Sequence, residues 1–172
     1  MSAGSAHVMV TTKNNEVFAW GCGDNGRLGL GDDYDSQCLP QPVHYAKHNI
    51  ASTKIASAHC GDDCTVFLTT KGAFLACGSN RHNKLAIAPI KWLGGDGDAA
   101  SAAPGRGSDY AQSGEVNVPT PPAASDVSGS IVAVAIGSAH MAMLTAAGRV
   151  HTFGSNSYVC ESRWPACLAK QV

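Results

Sequence analysis

Three glycine-framed segments decide the fold: GSAHVMVTTKNNEVFAWG from Gly4 to Gly21, GDDCTVFLTTKGAFLACG from Gly61 to Gly78, and GSAHMAMLTAAGRVHTFG from Gly137 to Gly154. The two framing glycines lie 17 positions apart in every copy. A repeated segment with constant internal spacing is typical of repeat architectures, in which each copy forms one small structural unit. The sequence therefore predicts three similar units along the chain.

Each copy has the pattern of a β-hairpin. In the first copy, two β-prone runs, residues 8–10 and 17–20, flank a polar turn. The eleventh residue after the opening glycine is Asn15, Gly72 or Gly148. Asn and Gly tolerate the positive φ that such turns require. These residues are therefore assigned to the hairpin turns.

Other matched positions indicate contacts that stabilise each unit. A large or soft apolar residue precedes each closing glycine, and these residues are Trp20, Cys77 and Phe153. The third residue after the opening glycine is His7, Cys64 or His140. A recurring histidine without a recurring acid or nucleophile beside it indicates a structural hydrogen bond within each unit, not catalysis.

A leading strand precedes two of the three hairpins. Residues 53–56 and 131–136 are β-prone and come just before the second and third copies. Each unit is therefore expected to be an antiparallel sheet of three or four strands. The first copy is expected to lack this strand, because only Met1, Ser2 and Ala3 precede Gly4.

The end of the first copy also carries a family likeness. Phe18-Ala19-Trp20-Gly21 is followed by Gly26-Arg27-Leu28-Gly29-Leu30-Gly31. This pattern resembles the regulator of chromosome condensation repeat, and the likeness covers roughly residues 1–90 and 130–160. The resemblance implies blades of a β-propeller, a ring of small antiparallel sheets.

The predicted fold is all-β, a partial β-propeller of about three antiparallel blades with one long insert rich in Gly, Ala and Pro. Residues 1–87 would form the first two blades, residues 88–130 a flexible insert, and residues 131–172 a degenerate or truncated third blade. Trp92 and Tyr110 are the large side chains of the insert and are candidates for contact with a partner.

Two basic residues stand at the same position of equivalent loops. Arg27 and Lys84 each follow a closing glycine by six residues. We expect them on one rim of the blades as interaction residues. Two such charges are too few for a nucleic-acid surface.

Two motifs with chemical meaning are better explained by the repeat, and a third by a solvated acidic loop. Gly21-Cys22-Gly23-Asp24-Asn25-Gly26 matches a dinucleotide fingerprint, but no helical pattern follows it. His59, Cys60, Cys64 and Cys77 suggest zinc, yet Cys64 and Cys77 occupy repeat positions. Asp32, Asp33 and Asp35 lack the spacing of a calcium loop. No cofactor, metal ligand or catalytic residue is therefore assigned.

Composition limits the partners and the compartment. A formal net charge of −1 gives no overall attraction to nucleic acid or membranes. The sequence has no signal-peptide pattern and no long apolar stretch, so no membrane association is expected. Seven cysteines at irregular spacing are expected to be reduced, which predicts a cytoplasmic or nuclear protein.

The function expected from these features is a non-enzymatic protein-interaction or scaffold module. It would be a piece of a larger protein or assembly, such as a cytoskeletal or ciliary complex. The resemblance also implies an alternative, a guanine-nucleotide exchange factor for Ran with chromatin contact. Protein partners are expected in either case, and a small GTPase and a large complex are both candidates.

Overall fold

The fold consists of three antiparallel sheets. A computed structural model describes residues 1–31, 35–43, 54–87, 115–122 and 129–155. The first sheet contains β1 (Ser2–Ala3), β2 (His7–Thr11), β3 (Val17–Gly21) and β4 (Gln37–Pro42). The second contains β5 (Ile55–Cys60), β6 (Cys64–Thr69), β7 (Phe74–Ser79) and β8 (Glu115–Thr120). The third contains β9 (Ile131–Ile136), β10 (His140–Thr145) and β11 (Val150–Gly154).

The strands of each sheet follow one another in chain order. In the described ranges, helical structure is limited to two short 3-10 turns, Asp24–Gly26 and Arg81–Asn83. No helix in these ranges is long and apolar enough to cross a membrane. The predicted all-β class is confirmed.

The central hairpin of every sheet has the predicted turn. The φ angles of Asn15, Gly72 and Gly148 are 65°, 77° and 78°. In each turn, the eighth residue after the opening glycine is a threonine whose Oγ1 accepts a hydrogen bond from the backbone N–H four residues later. The three N···Oγ1 distances, at Thr12, Thr69 and Thr145, are 3.2, 3.0 and 3.1 Å. The turns are therefore nearly identical rigid units.

The closing glycines are required by backbone geometry. Gly21, Gly78 and Gly154 have φ angles of 106°, 104° and 116°. At Gly21, a Cβ atom would lie 2.5 Å from the carbonyl oxygen of Ala6. A side chain there would meet both an unfavourable φ and a fixed backbone atom.

Two boundaries differ from the sequence-based expectation. The first sheet does have a leading strand, because Ser2 and Ala3 pair with Met9 and Val8. Within the segment 88–130 interpreted as an insert, Glu115–Thr120 forms β8 and pairs with β7. Its prolines suggested a loop, but β8 is the last strand of its sheet, and proline is tolerated on edge strands.

The sheets stack face to face around two apolar clusters. The first lies between the first and second sheets, and its core includes Met9, Val17, Phe67 and Leu75. The second lies between the second and third sheets, and includes Phe74, Met141 and Met143. Burial of this apolar area is the main force that holds the blades together.

The sheets fan out from their leading strands. Strands β1, β5 and β9 approach one another in sequence, whereas the last strands β4 and β8 make no comparable approach among the described residues. This radial arrangement is that of neighbouring propeller blades. The three sheets are therefore blades 1, 2 and 3 of a partial β-propeller.

Candidate functional site

A hydrogen-bond network joins blade 1 to blade 2 at His7. The Nε2 atom of His7 lies 2.9 Å from Oγ1 of Thr65. The Thr65 hydroxyl donates its proton to the carbonyl oxygen of Arg27 at 2.8 Å. Since that proton is used, the Thr65 oxygen accepts from His7, and Nε2 carries the proton of the neutral ring. The prediction of a bond within each blade is thus wrong for His7, because its partner belongs to the next blade.

This network favours the neutral form of His7. Burial, and then the nearby charge of Arg27, lower its pKa from 6.5 to about 4. The Nδ1 atom has no hydrogen-bond partner in the described structure. A second proton would therefore be placed on an unpartnered buried atom, which is unfavourable.

Stability is expected to fall as the pH drops from about 6.5 towards 4. In that range, the unfolded chain binds a proton at His7 and the folded chain does not, so acidification favours unfolding. His7→Gln should flatten this part of the pH profile and lower stability at pH 7. Urea unfolding at a series of pH values measures both effects. An unchanged profile would show that His7 does not titrate differently in the two states.

The matched histidine of blade 3 lies in a different environment. His140 is exposed, because no described sheet covers the face on which it lies. The corresponding residue of blade 2, Cys64, is fully buried in the second apolar cluster. The structure therefore does not place the three matched residues in one common contact.

Arg27 and Lys84 tie adjacent blades together. The Nη1 atom of Arg27 donates to the carbonyl of Asp62 at 3.1 Å, and Nζ of Lys84 donates to the carbonyl of Ser138 at 2.8 Å. Asp62 and Ser138 each follow the opening glycine of the next blade, so the two contacts are equivalent. Lys84 also forms an ion pair with Asp63.

The expectation that these two residues form an exposed interaction rim is wrong. Arg27 is 8% exposed and Lys84 is 0% exposed. Their aliphatic stems cross the interface, and their charged ends reach backbone carbonyls. A buried cation is stable when such acceptors are available.

The opening glycines permit close contact between blades. A Cβ on Gly4 would overlap the carbonyl oxygen of Gly61 and would lie 2.7 Å from Cε1 of His7. A Cβ on Gly61 would lie 2.6 Å from Cγ2 of Ile136 in blade 3. On Gly137, a Cβ would lie 3.0 Å from Cε1 of His140.

The glycine-rich segment Gly21–Gly26, which resembles a dinucleotide fingerprint, lies at the contact between blades 1 and 2. A Cβ on Gly26 would lie 2.7 Å from Cα of Asn117 in β8, and the N–H of Gly31 donates to the carbonyl of Asn117 at 3.0 Å. The loop after Gly21 thus lies against the last strand of blade 2. Its glycines make room for a neighbouring backbone.

The burial of the apolar residue before each closing glycine depends on whether another blade covers it. Cys77 is fully buried against blade 1, and Phe153 is half-buried against the cluster shared with blade 2. Trp20 is half-buried on the face of blade 1 that no described sheet covers. The matched position therefore faces the preceding blade.

Three cysteines, the buried Cys64 and Cys77 and the half-buried Cys60, have raised pKa values. Burial raises the pKa of Cys60, raises that of Cys64 to about 11, and raises that of Cys77 well above its ordinary value. These thiols are protonated at neutral pH, and the thiolate is the form that binds metals. Among the described residues, no group of His, Cys, Asp and Glu side chains is arranged to hold a metal ion. Trp92, Tyr110, Asp32 and Asp33 lie outside the described residues.

His151 is a buried histidine without hydrogen bonds. It is 0% exposed, and neither ring nitrogen has a partner in the described structure. The matched residues of blades 1 and 2 are Phe18 and Leu75, both apolar. The position therefore favours an apolar side chain.

His151→Leu is expected to raise the free energy of unfolding by about 1 kcal/mol or more, because unpaired buried polar groups each cost ~1–3 kcal/mol. Thermal or urea unfolding measures the change. His140→Leu, at an exposed position, is the control and should change stability by less than ~0.5 kcal/mol. A loss of stability in His151→Leu would mean that the imidazole has a partner in solution.

The two outer sheet faces present side chains that are buried at the blade interfaces. Leu144 of blade 3 is 39% exposed, whereas the matched Leu68 of blade 2 is 6% exposed. On blade 1, Phe18 and Trp20 are half-buried. Partly exposed apolar side chains on an uncovered sheet face are compatible with an interaction site.

The residues that accept the hydrogen bonds between blades were not predicted from the sequence. Thr65 was not assigned, although Thr12, Thr69 and Thr145 recur visibly in the turns. The acceptors at Asp62 and Ser138 are backbone carbonyls, which leave no signal in residue identity. The only sequence signal was their common position, since Asp62 and Ser138 each come directly after an opening glycine.

The fold and these contacts define a class of protein, the repeat β-propellers. Two segments match the family model described as "Regulator of chromosome condensation (RCC1) repeat", residues 14–68 and 131–158. These two matched segments are RCC1 repeats by that family model. The first match begins in the turn of blade 1 and ends in β6 of blade 2, so the sequence repeat is offset from the structural blade.

Related proteins carry the same repeat region. The chain is 36% identical over 162 residues to serine/threonine-protein kinase Nek8 of Danio rerio, a match that covers 92% of this chain and 20% of Nek8. It is 46% identical over 87 residues to serine/threonine-protein kinase Nek9 of Mus musculus, covering 51% of this chain and 8% of Nek9. The chain thus spans a small part of these kinases.

A solved structure shows the same fold. Prp20p from Saccharomyces cerevisiae, described with its binding properties to Gsp1p and histones, superimposes with a TM-score of 0.70 at 17% identity. The superposition covers 98% of this chain and 36% of that structure. At 17% identity, this similarity shows a shared fold.

Proposed function

We propose that this chain is a non-enzymatic protein-interaction module that acts as part of a larger propeller or assembly. The observation that supports it most is the contrast between the blade interfaces and the outer faces. The same repeat position is covered in blade 2 and exposed in blade 3, as Leu68 and Leu144 show. The outer sheet faces are therefore suited to contact with another blade or a partner protein.

The polar contacts support a structural role of the same kind. Arg27, Lys84 and His7 are used to fix adjacent blades, which makes the array rigid. A rigid array presents its loops in fixed positions, and loops on rigid scaffolds commonly bind partners. The proposed setting is the cytoplasm or nucleus, in a large complex such as a cytoskeletal or ciliary one.

Proximity labelling in cells tests the proposal. The outer-face variant Val132→Glu with Leu144→Glu places two charges on the open face of blade 3, where the side chains are 54% and 39% exposed. The control, Arg81→Glu, changes the formal net charge by the same amount at an exposed residue of the 3-10 turn in blade 2. We expect the outer-face variant alone to lose labelled partners. The proposal fails if the folded chain enriches no partner above the tag alone.

A second candidate function is nucleotide exchange on Ran with chromatin contact. It is favoured by the likeness to Prp20p, which is described as binding Gsp1p and histones. Release of a fluorescent guanine nucleotide from Ran measures this activity. Strong acceleration by the chain would replace the scaffold proposal, and binding without acceleration would leave it in place.

A further inference from the structure

The three hairpin turns lie along one end of the blade array. Nδ2 of Asn15 in blade 1 donates to the carbonyl of Ile55 at the start of blade 2, at 2.8 Å. The N–H of Ile131 in blade 3 donates to the carbonyl of Gly72 in the turn of blade 2, also at 2.8 Å. The turns of blades 1 and 2 thus contact the first residues of the next blade. We call residues 12–16, 54, 70–73, 130 and 146–149 the hairpin rim.

Lys54 belongs to this rim by the same kind of contact. Its carbonyl accepts a hydrogen bond from the N–H of Thr70 at 2.9 Å, so it lies beside the turn of blade 2. At blade 3, the N–H of Ala146 donates to the carbonyl of Ser130 at 2.8 Å. The rim is therefore one continuous hydrogen-bonded band across all three blades.

The hairpin rim is basic. Its exposed charged side chains are those of Lys13, Lys54, Lys71, Arg149 and one acid, Glu16. Within the described ranges, none of these four basic side chains has an ion-pair partner. The carboxylate of Glu16 accepts a weak hydrogen bond from the hydroxyl of Thr12 at 3.4 Å.

The opposite end of the blades has the reverse charge. In the described residues, its exposed charged side chains are those of Asp24, Asp35, Asp62, Glu115 and one base, Arg81. The chain has a formal net charge of −1, yet the exposed charges of the described residues are mostly basic on the hairpin rim and mostly acidic at the opposite end. Such a distribution orients and attracts an approaching partner of opposite charge.

The basic side chains are attached to rigid backbone. Lys13, Lys71 and Arg149 belong to the three turns whose threonines accept a backbone hydrogen bond. A fixed backbone reduces the ordering cost of binding, because only the side chains lose freedom. The rim therefore has both the charge and the preorganisation of a docking surface.

We infer that the hairpin rim binds an acidic segment of a protein partner. The inference rests on the proposed interaction function and names the surface and the chemistry of the partner. A protein segment fits better than a nucleic acid, because the charges come singly from separate turns and Glu16 lies among them. Among the described rim residues there is also no aromatic side chain on which a base could stack.

Fluorescence anisotropy with a labelled peptide of alternating Glu and Ser tests the inference. The rim variant is Lys54→Gln with Lys71→Gln. The matched control is Arg81→Glu at the opposite end, which lowers the formal net charge by the same amount. We expect the rim variant to bind the peptide about three- to tenfold more weakly than the parent chain and the control to match the parent, since two modest exposed ion pairs are lost. Binding should weaken as salt is added.

Several outcomes overturn the inference. Absence of peptide binding does so, and so does an equal loss in both variants, which would indicate a general charge effect. Tighter binding of single-stranded DNA of equal charge would show that the partner class is wrong. Thermal unfolding confirms that each variant is folded. If the rim variant keeps every partner found by proximity labelling, the rim inference fails while the interaction function stands.

Discussion

Gly78→Ala is expected to lower the free energy of unfolding by about 3–5 kcal/mol, from backbone strain and a forced shift of neighbouring atoms. Gly78 has a φ of 104°, which is unfavourable for any residue with a side chain. An added Cβ would lie 2.5 Å from the carbonyl oxygen of Asp63 and from Cα of Cys64. Both atoms belong to the backbone of β6 and its preceding turn, so neither can move alone. Urea unfolding measures the loss.

Gly148 provides the matched control. Its φ is 78°, but among the described residues a Cβ there would have no atom within 4 Å beyond those of its chain neighbours. Gly148→Ala should therefore cost only about 1 kcal/mol, the price of a left-handed backbone for a residue with a side chain. Gly148→Asn should cost less, because Asn15 has the same conformation in blade 1. Equal losses in Gly78→Ala and Gly148→Ala would refute the steric explanation.

Lys84→Ala should destabilise the protein by about 2–4 kcal/mol, because removal of one partner leaves buried acceptors unpaired. The Lys84 side chain is 0% exposed, and that of Asp63 is 23% exposed. The substitution also leaves the carbonyl of Ser138 without its donor, which loosens blade 2 from blade 3.

Two further variants separate charge from packing at Lys84. Lys84→Met keeps most of the side-chain volume and should still lose most of the stability, since the acceptors remain unpaired. Lys71→Ala removes an exposed lysine and should change stability by less than ~0.5 kcal/mol. If Lys84→Ala behaves like Lys71→Ala, the tie between blades 2 and 3 is not important for folding.

The features predicted correctly from the sequence are those determined within one copy. The positive φ of Asn15, Gly72 and Gly148 follows from the residues that such turns accept. The hairpin strands follow from their β-prone runs, and the all-β class follows from repetition of those hairpins. The conformations of turns and hairpin strands are determined by residues that are close together in the sequence.

The contacts between copies were harder to predict. The alignment of copies compares equal positions, but His7 contacts Thr65, which occupies the following position of the next copy. Lys84 was expected on the surface because lysines are usually exposed, and its carbonyl acceptor has no sequence signal. Strand β8 was missed because the proline-rich composition of the segment 88–130 suggested a loop, whereas the unpaired edge of a sheet accepts a proline such as Pro119.

The one-way contacts between blades affect how such a protein can gain or lose repeats. At both described junctions, the earlier blade extends a basic side chain, Arg27 or Lys84, and the later blade accepts it on the carbonyl after its opening glycine. Insertion of a whole repeat would add one donor and one acceptor together and leave every other junction intact. Duplication of half a blade would separate donors from acceptors. The matched segment 14–68 begins in one blade and ends in the next, and it contains both Arg27 and its acceptor at Asp62. Recombination that exchanges segments with these boundaries would therefore keep each donor with its acceptor and preserve folding.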